Sequence, residues 1–304
     1  MKKKNILIVG GTGFIGYHLS KKCLNLGWKV DSISTTYPNT KRFIKNVNYH
    51  ICDIRKKGDL KKINRNFQYI VNLGGYVDHS NKKKTYESHY IGCKNLANLF
   101  LKKKIKSFIQ IGSSIEYGQN KSPQRENMNC LLSKINSVYG ESKLRSTNFL
   151  ISLNKKYNFP VTILRLYLAY GPNQELNRFI PIVIDGCLKN TEFNASSGKQ
   201  RRDFIHVHDV VNIIIRSLIN KKANGEIFNV GSGKPLKLKK IIELIRKLSM
   251  GGKPKYGSIP LRKDEILNLY PDISKAKKFL NWSPKKNFET GLKETIKYYK
   301  NNLK

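Results

Sequence analysis

Acidic residues are what this 304-residue chain has least of: 20 Asp and Glu stand against 58 Lys and Arg, a net charge of +38. Cysteine is sparse as well. The five cysteines (Cys23, Cys52, Cys93, Cys130, Cys187) are spread singly, which argues against a disulfide framework and against a zinc site. No apolar run approaches the ~20 residues of a membrane-spanning helix. The basic start at Met1–Lys4 leads into an apolar run too short for a signal-peptide core, and glycines interrupt it at once. A cytoplasmic protein with no membrane partner is expected. The six histidines lack metal-binding spacing on a helix. His206 and His208 read as sharing one face of a strand, and no metal is expected.

The charge has two readings. One is nucleic-acid or membrane-surface binding. The other is a lysine-rich composition with solvated helix faces. The lysines fall in short runs (Lys82–Lys84, Lys102–Lys104, Lys155–Lys156, Lys277–Lys278) scattered along the chain. No basic arm and no aromatic-interleaved basic motif stands out, so the second reading is favoured and no specific nucleic-acid partner is expected. Such a charge still draws in anionic small substrates.

Against these absences stands a strong pattern at the N-terminus. Asn5-Ile-Leu-Ile-Val9 reads as a strand buried on both faces. Gly10-Gly-Thr-Gly-Phe-Ile-Gly16 follows, then an amphipathic stretch from Tyr17 to Leu26, then a second strand at Trp28–Ile33. Gly10 permits a tight turn, Gly13 lets backbone approach a diphosphate, and Gly16 lets the helix pack on the strand. The helix N-terminus offers unpaired N–H groups to the anion. Strand and helix patterns continue to alternate: strands at Val47–Ile51, Tyr69–Leu73 and Phe108–Ile111, and a long helix at Lys82–Lys103. The expected fold class is α/β, a doubly wound parallel sheet (Rossmann-like) with a smaller C-terminal substrate-binding lobe. Asp53, Gly74, Ser113 and Ser114 fall at the carboxyl ends of strands, where ligands bind.

Tyr139-Gly-Glu-Ser-Lys143 opens a second long helix and puts Tyr139 and Lys143 on one face. A free tyrosine is a poor base at neutral pH, but a nearby ammonium favours the phenolate. Tyr139 could then take a proton from a hydroxyl while hydride leaves the same carbon, with a serine hydroxyl holding the oxygen. Y-x-x-x-K alone is common. Its meaning comes from following a glycine motif and a strand-end serine in this order.

In these segments the sequence resembles the extended short-chain dehydrogenase/reductase family, the NAD(P)-dependent nucleotide-sugar epimerases, dehydratases and reductases, over nearly its whole length. The resemblance implies cofactor contacts at Gly10, Gly13, Phe14, Ile15 and Gly16, at Asp53 and Ile54, and at Leu73, Gly74 and Gly75. It places the catalytic set at Ser113, Tyr139 and Lys143, with Lys143 also holding the nicotinamide ribose. Ser114, Asn177 and Arg178 fall on the substrate side. Gln200-Arg-Arg-Asp-Phe resembles the segment whose arginine, here Arg202, binds the diphosphate, and Arg262-x-x-Glu265 resembles the source of a second such arginine. Bidentate arginines suit that anion.

Three departures shape the expectation. Ser114 and Ile115 stand where many dehydratases of the family carry Asp and Glu. Glu116, one residue further, is expected to project elsewhere, which disfavours elimination of water. The ribose-binding acid of the family would fall at Ser34. Its absence leaves NADP open beside NAD, with Lys41 and Arg42 nearby, while Asp31 reads as a strand residue. His89 stands where the family often has Asn, and Leu168 likewise, while Gly74 and Gly75 replace alanines and are expected to leave extra space beside the nicotinamide.

The resulting expectation is an NAD(P)-dependent enzyme moving hydride at C4 of a nucleotide-diphosphate sugar, as an epimerase, reductase or dehydrogenase. The alternatives are a 4,6-dehydratase and a non-catalytic NAD(P)-binding protein with RNA affinity. Residues 1–170 are read as the Rossmann-like domain and 171–304 as mainly the sugar-nucleotide lobe, with segments near 204–230 returning to the first. A homodimer through Lys82–Lys103 and Ser137–Asn158 is implied by the family.

Overall fold

Alternation within the first strand sets the architecture. In β1 (Asn5–Val9), Ile6 and Ile8 join one hydrophobic cluster, while Leu7 and Val9 join another on the opposite face. A strand buried on both sides needs helices on both sides. The computed structural model, which describes residues 3–63, 65–261 and 265–302, provides them. In chain order the first half runs β1, α1 (Phe14–Asn25), β2 (Lys29–Ser34), β3 (Val47–Ile51), α2 (Lys57–Lys61), β4 (Tyr69–Asn72), α3 (Lys82–Tyr86), α4 (Gly92–Leu101), β5 (Ser107–Ser113), α5 (Val138–Tyr157) and β6 (Val161–Leu166). The second half runs β7 (Leu168–Tyr170), α6 (Phe179–Leu188), β8 (Glu192–Ala195), β9 (Arg201–Arg202), β10 (Phe204–His206), α7 (Val207–Ile219), β11 (Ile227–Val230), β12 (Leu236–Lys237), α8 (Leu238–Ser249), β13 (Lys253–Tyr256), β14 (Asn268–Leu269), α9 (Ser274–Leu280) and α10 (Phe288–Asn302).

The main sheet has seven strands in the order β11-β6-β5-β4-β1-β2-β3, and each paired neighbour is parallel. Residues of α1, α7 and α9 fill the core on one face, and residues of α2, α4 and α5 fill the other. The doubly wound expectation holds. The order of strands reverses between β1 and β4, which opens a crevice at their carboxyl ends. A third cluster of apolar side chains gathers α6, α8 and α10 around Tyr170 and Phe204. No helix among the described residues is long and apolar enough to cross a membrane.

Two local readings change. The long helix at 82–103 is interrupted by a π turn at Glu87–Ile91, which carries His89. His206 and His208 do not share a strand face. His206 ends β10, and its ring caps α7 by accepting from the His208 amide, so His208 lies in the first helical turn.

Candidate active site

The glycine loop is built for close approach. Gly10 has φ +77°, and a Cβ there would lie 3.2 Å from the backbone of Leu73 and Gly74. A Cβ on Gly16 would fall 2.3 Å from the Gly10 carbonyl oxygen, so only glycine lets α1 sit this near the turn. Gly13 is the N-cap of α1 and offers no side-chain cap, which leaves the N–H groups of Phe14 and Ile15 facing the loop. This cradle fits the diphosphate of a dinucleotide. Ser34 closes β2 beside it, with its Oγ 3.5 Å from the Thr12 amide nitrogen. At the end of β3, Arg55 grips the Asp53 carboxylate through Nε and Nη2 at 2.7–3.0 Å and holds it below its usual range. Ile54 packs into the core against Gly92.

The three residues implied in chemistry gather at the carboxyl end of β5. Lys143 Nζ donates to the Ile111 carbonyl at 2.8 Å and lies 5.8 Å from the centre of the Tyr139 ring. The ammonium is therefore anchored to the strand that ends in Ser113. Ser113 is half-buried and caps the 3-10 turn Ser114–Tyr117: its Oγ accepts from the Ile115 amide, and its own amide donates to Glu116. Ser114 is buried behind it.

Two histidines flank the tyrosine. His79 stacks on the Tyr139 ring with centroids 3.9 Å apart and planes 15° apart, and His89 meets it edge-on at 5.0 Å. His89 Nε2 donates to the Tyr76 carbonyl, and Nδ1 is buried without a partner. Burial, reinforced by the Lys143 ammonium, brings the His89 pKa down to about 2, so the ring is neutral. His79 is also lowered, by burial and then by the Arg178 and Lys143 charges. Extra space beside Gly74 and Gly75 is not found. A Cβ on Gly75 would come within 1.9 Å of His89 Cε1, and one on Gly74 within 2.8 Å of Val9 Cγ1. The larger His89 ring takes the volume that glycine vacates. No motif points to His79, because it lies in the irregular segment after β4. His89 shows in the sequence only as a departure.

Glu116 turns into the core. Its carboxylate accepts from Arg165 Nε and Thr147 Oγ1 at 2.9 Å each and from the Ser113 amide at 2.8 Å, with no exposed surface. A Cβ on Gly112 would lie 2.5 Å from its Oε1, so the glycine before Ser113 makes room for this carboxylate.

Arg178 is the N-cap of α6, half-buried and in electrostatic range of His79, and Asn177 beside it is exposed. Arg202 is less free than the sequence suggests. Its Nη2 forms an ion pair with Glu265, and Nη1 donates to the carbonyls of Arg201 and Leu267. Arg262 lies outside the described residues. Leu168 is 39% exposed at the start of β7. Elsewhere, nitrogen and oxygen atoms of His206, His208 and Glu294 come within 4.8 Å of one another. His206 Nδ1 accepts a backbone proton there, which places the ring proton on Nε2, the atom a metal would need.

The chain matches the family described as NAD dependent epimerase/dehydratase over residues 6–231. It is 28% identical to a UDP-N-acetyl-alpha-D-glucosaminuronate decarboxylase of Bacillus cytotoxicus, covering 98% of each chain. It is 27% identical to a UDP-glucuronate 4-epimerase of Thermodesulfobacterium geofontis, covering 98% of this chain and 96% of that one. The structure of a UDP-glucose 4-epimerase of Thermotoga maritima with UDP-glucose superimposes with a TM-score of 0.90 at 25% identity, covering 99% and 100%. With a diphosphate cradle, a strand-end serine and a tyrosine–lysine pair at one crevice, the chain belongs to the NAD-dependent epimerase/dehydratase family.

Proposed function

We propose that the protein moves hydride at C4 of a nucleotide-diphosphate sugar. NAD, when bound, supplies the hydride acceptor and donor. Tyr139 takes the proton from the sugar O4 as hydride leaves C4, and returns it when hydride comes back. The Ser113 hydroxyl orients that oxygen. Lys143, anchored on the Ile111 carbonyl, places its charge beside the tyrosine, and would also hold the ribose of NAD. Gly10, Gly13, Phe14, Ile15 and Gly16 would hold the diphosphate of NAD, the end of β3 at Asp53 and Ile54 would border its adenine, and Ser114, Asn177, Arg178, Arg202 and Arg262 would serve the substrate.

One observation carries the choice of chemistry. Glu116, the one carboxylate between Gly112 and Gly118, is bound into a buried pair with Arg165. No acid of that stretch is available to expel a C6 hydroxyl, so oxidation at C4 is not followed by elimination of water. The reactions of the relatives, a uronate decarboxylation and two 4-epimerisations, support the same carbon. Epimerisation at C4 passes through the 4-ketone, and a 4-keto uronate is a β-keto acid that loses carbon dioxide readily.

The test is to incubate the enzyme and NAD with UDP-glucose, UDP-glucuronate and their N-acetyl counterparts and to weigh the products. A loss of two hydrogens, an unchanged mass with inverted C4, or loss of carbon dioxide from a uronate supports C4 oxidation without elimination of water. Loss of water would make the enzyme a dehydratase and overturn that reading.

We further infer a cytoplasmic homodimer joined through the helices at 82–103 and 137–158, with the lobes divided near residue 170. A single-chain mass by light scattering would refute the dimer.

A further inference from the structure

Dinucleotide folds usually choose between NAD and NADP at the end of the second strand: an acid there binds the ribose and repels a 2′-phosphate, and an arginine nearby accepts one. This chain has Ser34 at that position and Arg42 nearby, a combination that by itself suits NADP. The geometry around Arg42 says otherwise. Its Nη1 donates to the Thr12 carbonyl at 3.3 Å, and the Thr12 amide faces Ser34 Oγ, so the guanidinium stands at the ribose end of the glycine loop. The same Nη1 donates to Glu175 Oε1 at 2.8 Å, Nη2 donates to the Asn173 carbonyl at 2.6 Å, and Nε donates to Asn173 Oδ1 at 3.4 Å. Four of its five N–H bonds are therefore committed, and its charge is balanced by a carboxylate. The side chain is only 11% exposed.

We propose that Glu175 sets the cofactor preference for NAD. It lies far from the glycine loop in sequence and acts by neutralising the arginine poised to receive a 2′-phosphate. To bind there, a phosphate must displace the carboxylate or sit beside it, and like charges at that distance repel. In this chain the repelling acid has moved from the end of β2 to the loop after β7. A segment leading into the sugar lobe thus selects the cofactor held by the other lobe. The inference rests on the reading of the glycine loop as a dinucleotide cradle.

Equilibrium titration of the protein with NAD and with NADP, followed by calorimetry, tests this without any turnover. The wild type is expected to bind NAD more tightly. Glu175→Gln should tighten NADP about tenfold or more, in line with a charged hydrogen bond, and leave NAD nearly unchanged. The double variant Glu175→Gln with Arg42→Ala should lose that gain. A merely structural role for Glu175 would weaken both cofactors alike. The proposal is overturned if Glu175→Gln keeps native thermal unfolding and an unchanged NADP-to-NAD ratio, or if the wild type binds NADP as tightly as NAD. Should Glu175→Gln fail to fold, Arg42→Ala alone decides. An unchanged ratio supports the proposal, and a selective loss of NADP affinity shows that Arg42 already serves the phosphate. Binding of neither cofactor would instead overturn the dinucleotide reading itself.

Discussion

Tyr139 is placed by one helical turn and one anchored ammonium, so its removal is a clean test. Tyr139→Phe deletes the proton-carrying oxygen and keeps the ring that packs between His79 and His89. Turnover should fall by about 10²–10⁴-fold, the range of a lost acid–base group, with little change in thermal stability. Ser113→Ala should also slow the reaction, and Ser114→Ala less so, because Ser114 is buried behind the turn. Steady-state rates of the three variants check the assignment, and the reverse order for the serines would move the site by one residue. The placement of Ser113, Tyr139 and Lys143 at one strand end is legible in the sequence because each sits at a fixed offset from a strand end or a helix start. Glu175 and His79 are not. Their roles arise from contacts across 133 positions in one case (Arg42 to Glu175) and from a ring stack 60 residues apart in the other (His79 to Tyr139), with no local pattern to announce them.

Elements repeat the same lesson. The β and α alternation of the first half is readable because side chains must match a two-faced sheet, and the strands fall close to where their apolar runs predict. Phe204-Ile-His-Val-His208 alternates like a strand, yet only its first half is one. Two forces compete: a local cap, in which the His206 ring accepts the His208 amide, and a long-range one, in which Asp209 accepts the amides of Lys285 and Lys286. The π turn at Glu87–Ile91 is equally silent, since it is a single turn inside an otherwise α-helical stretch and no residue type marks it. The turn after β5 carries a sharper consequence. Glu116→Gln leaves the Arg165 guanidinium buried without its counter-charge, which should cost about 3–5 kcal/mol of stability. Urea unfolding measures it. A loss of under about 1 kcal/mol would mean that hydrogen bonds accepted by the glutamine oxygen replace the pair.

At the scale of the whole molecule the histidines govern the response to acid. Burial brings His18 down to about 4, His206 to about 3 and His89 to about 2, from an ordinary value of 6.5. The unfolded chain takes up these protons near pH 6.5, whereas the folded chain refuses them until much lower pH. Stability conferred by the neutral rings is therefore complete above pH 6.5 and is lost as the pH falls toward these values, by up to about 1.4 kcal/mol per pH unit for each ring. Urea midpoints at pH 7.5, 6.0 and 5.0, at constant ionic strength, should fall in that order. A flat profile would show that the rings protonate in place. Constant salt matters because the charge of +38 makes the chain repel itself more when the medium screens less.

The fit between Gly75 and His89 also constrains the order in which the two positions can have changed. Consider a variant carrying the alanine and asparagine that the family resemblance implies at these two positions. Introducing the histidine first drives its ring 1.9 Å from a methyl carbon that cannot move without the strand end. Introducing the glycine first leaves only a small void and a freer backbone, a cost of about 1 kcal/mol. The order through glycine is therefore the one that meets no clash, and with the histidine in place a return to alanine forces the His89 ring to move. Two residues that read as unrelated departures share one volume.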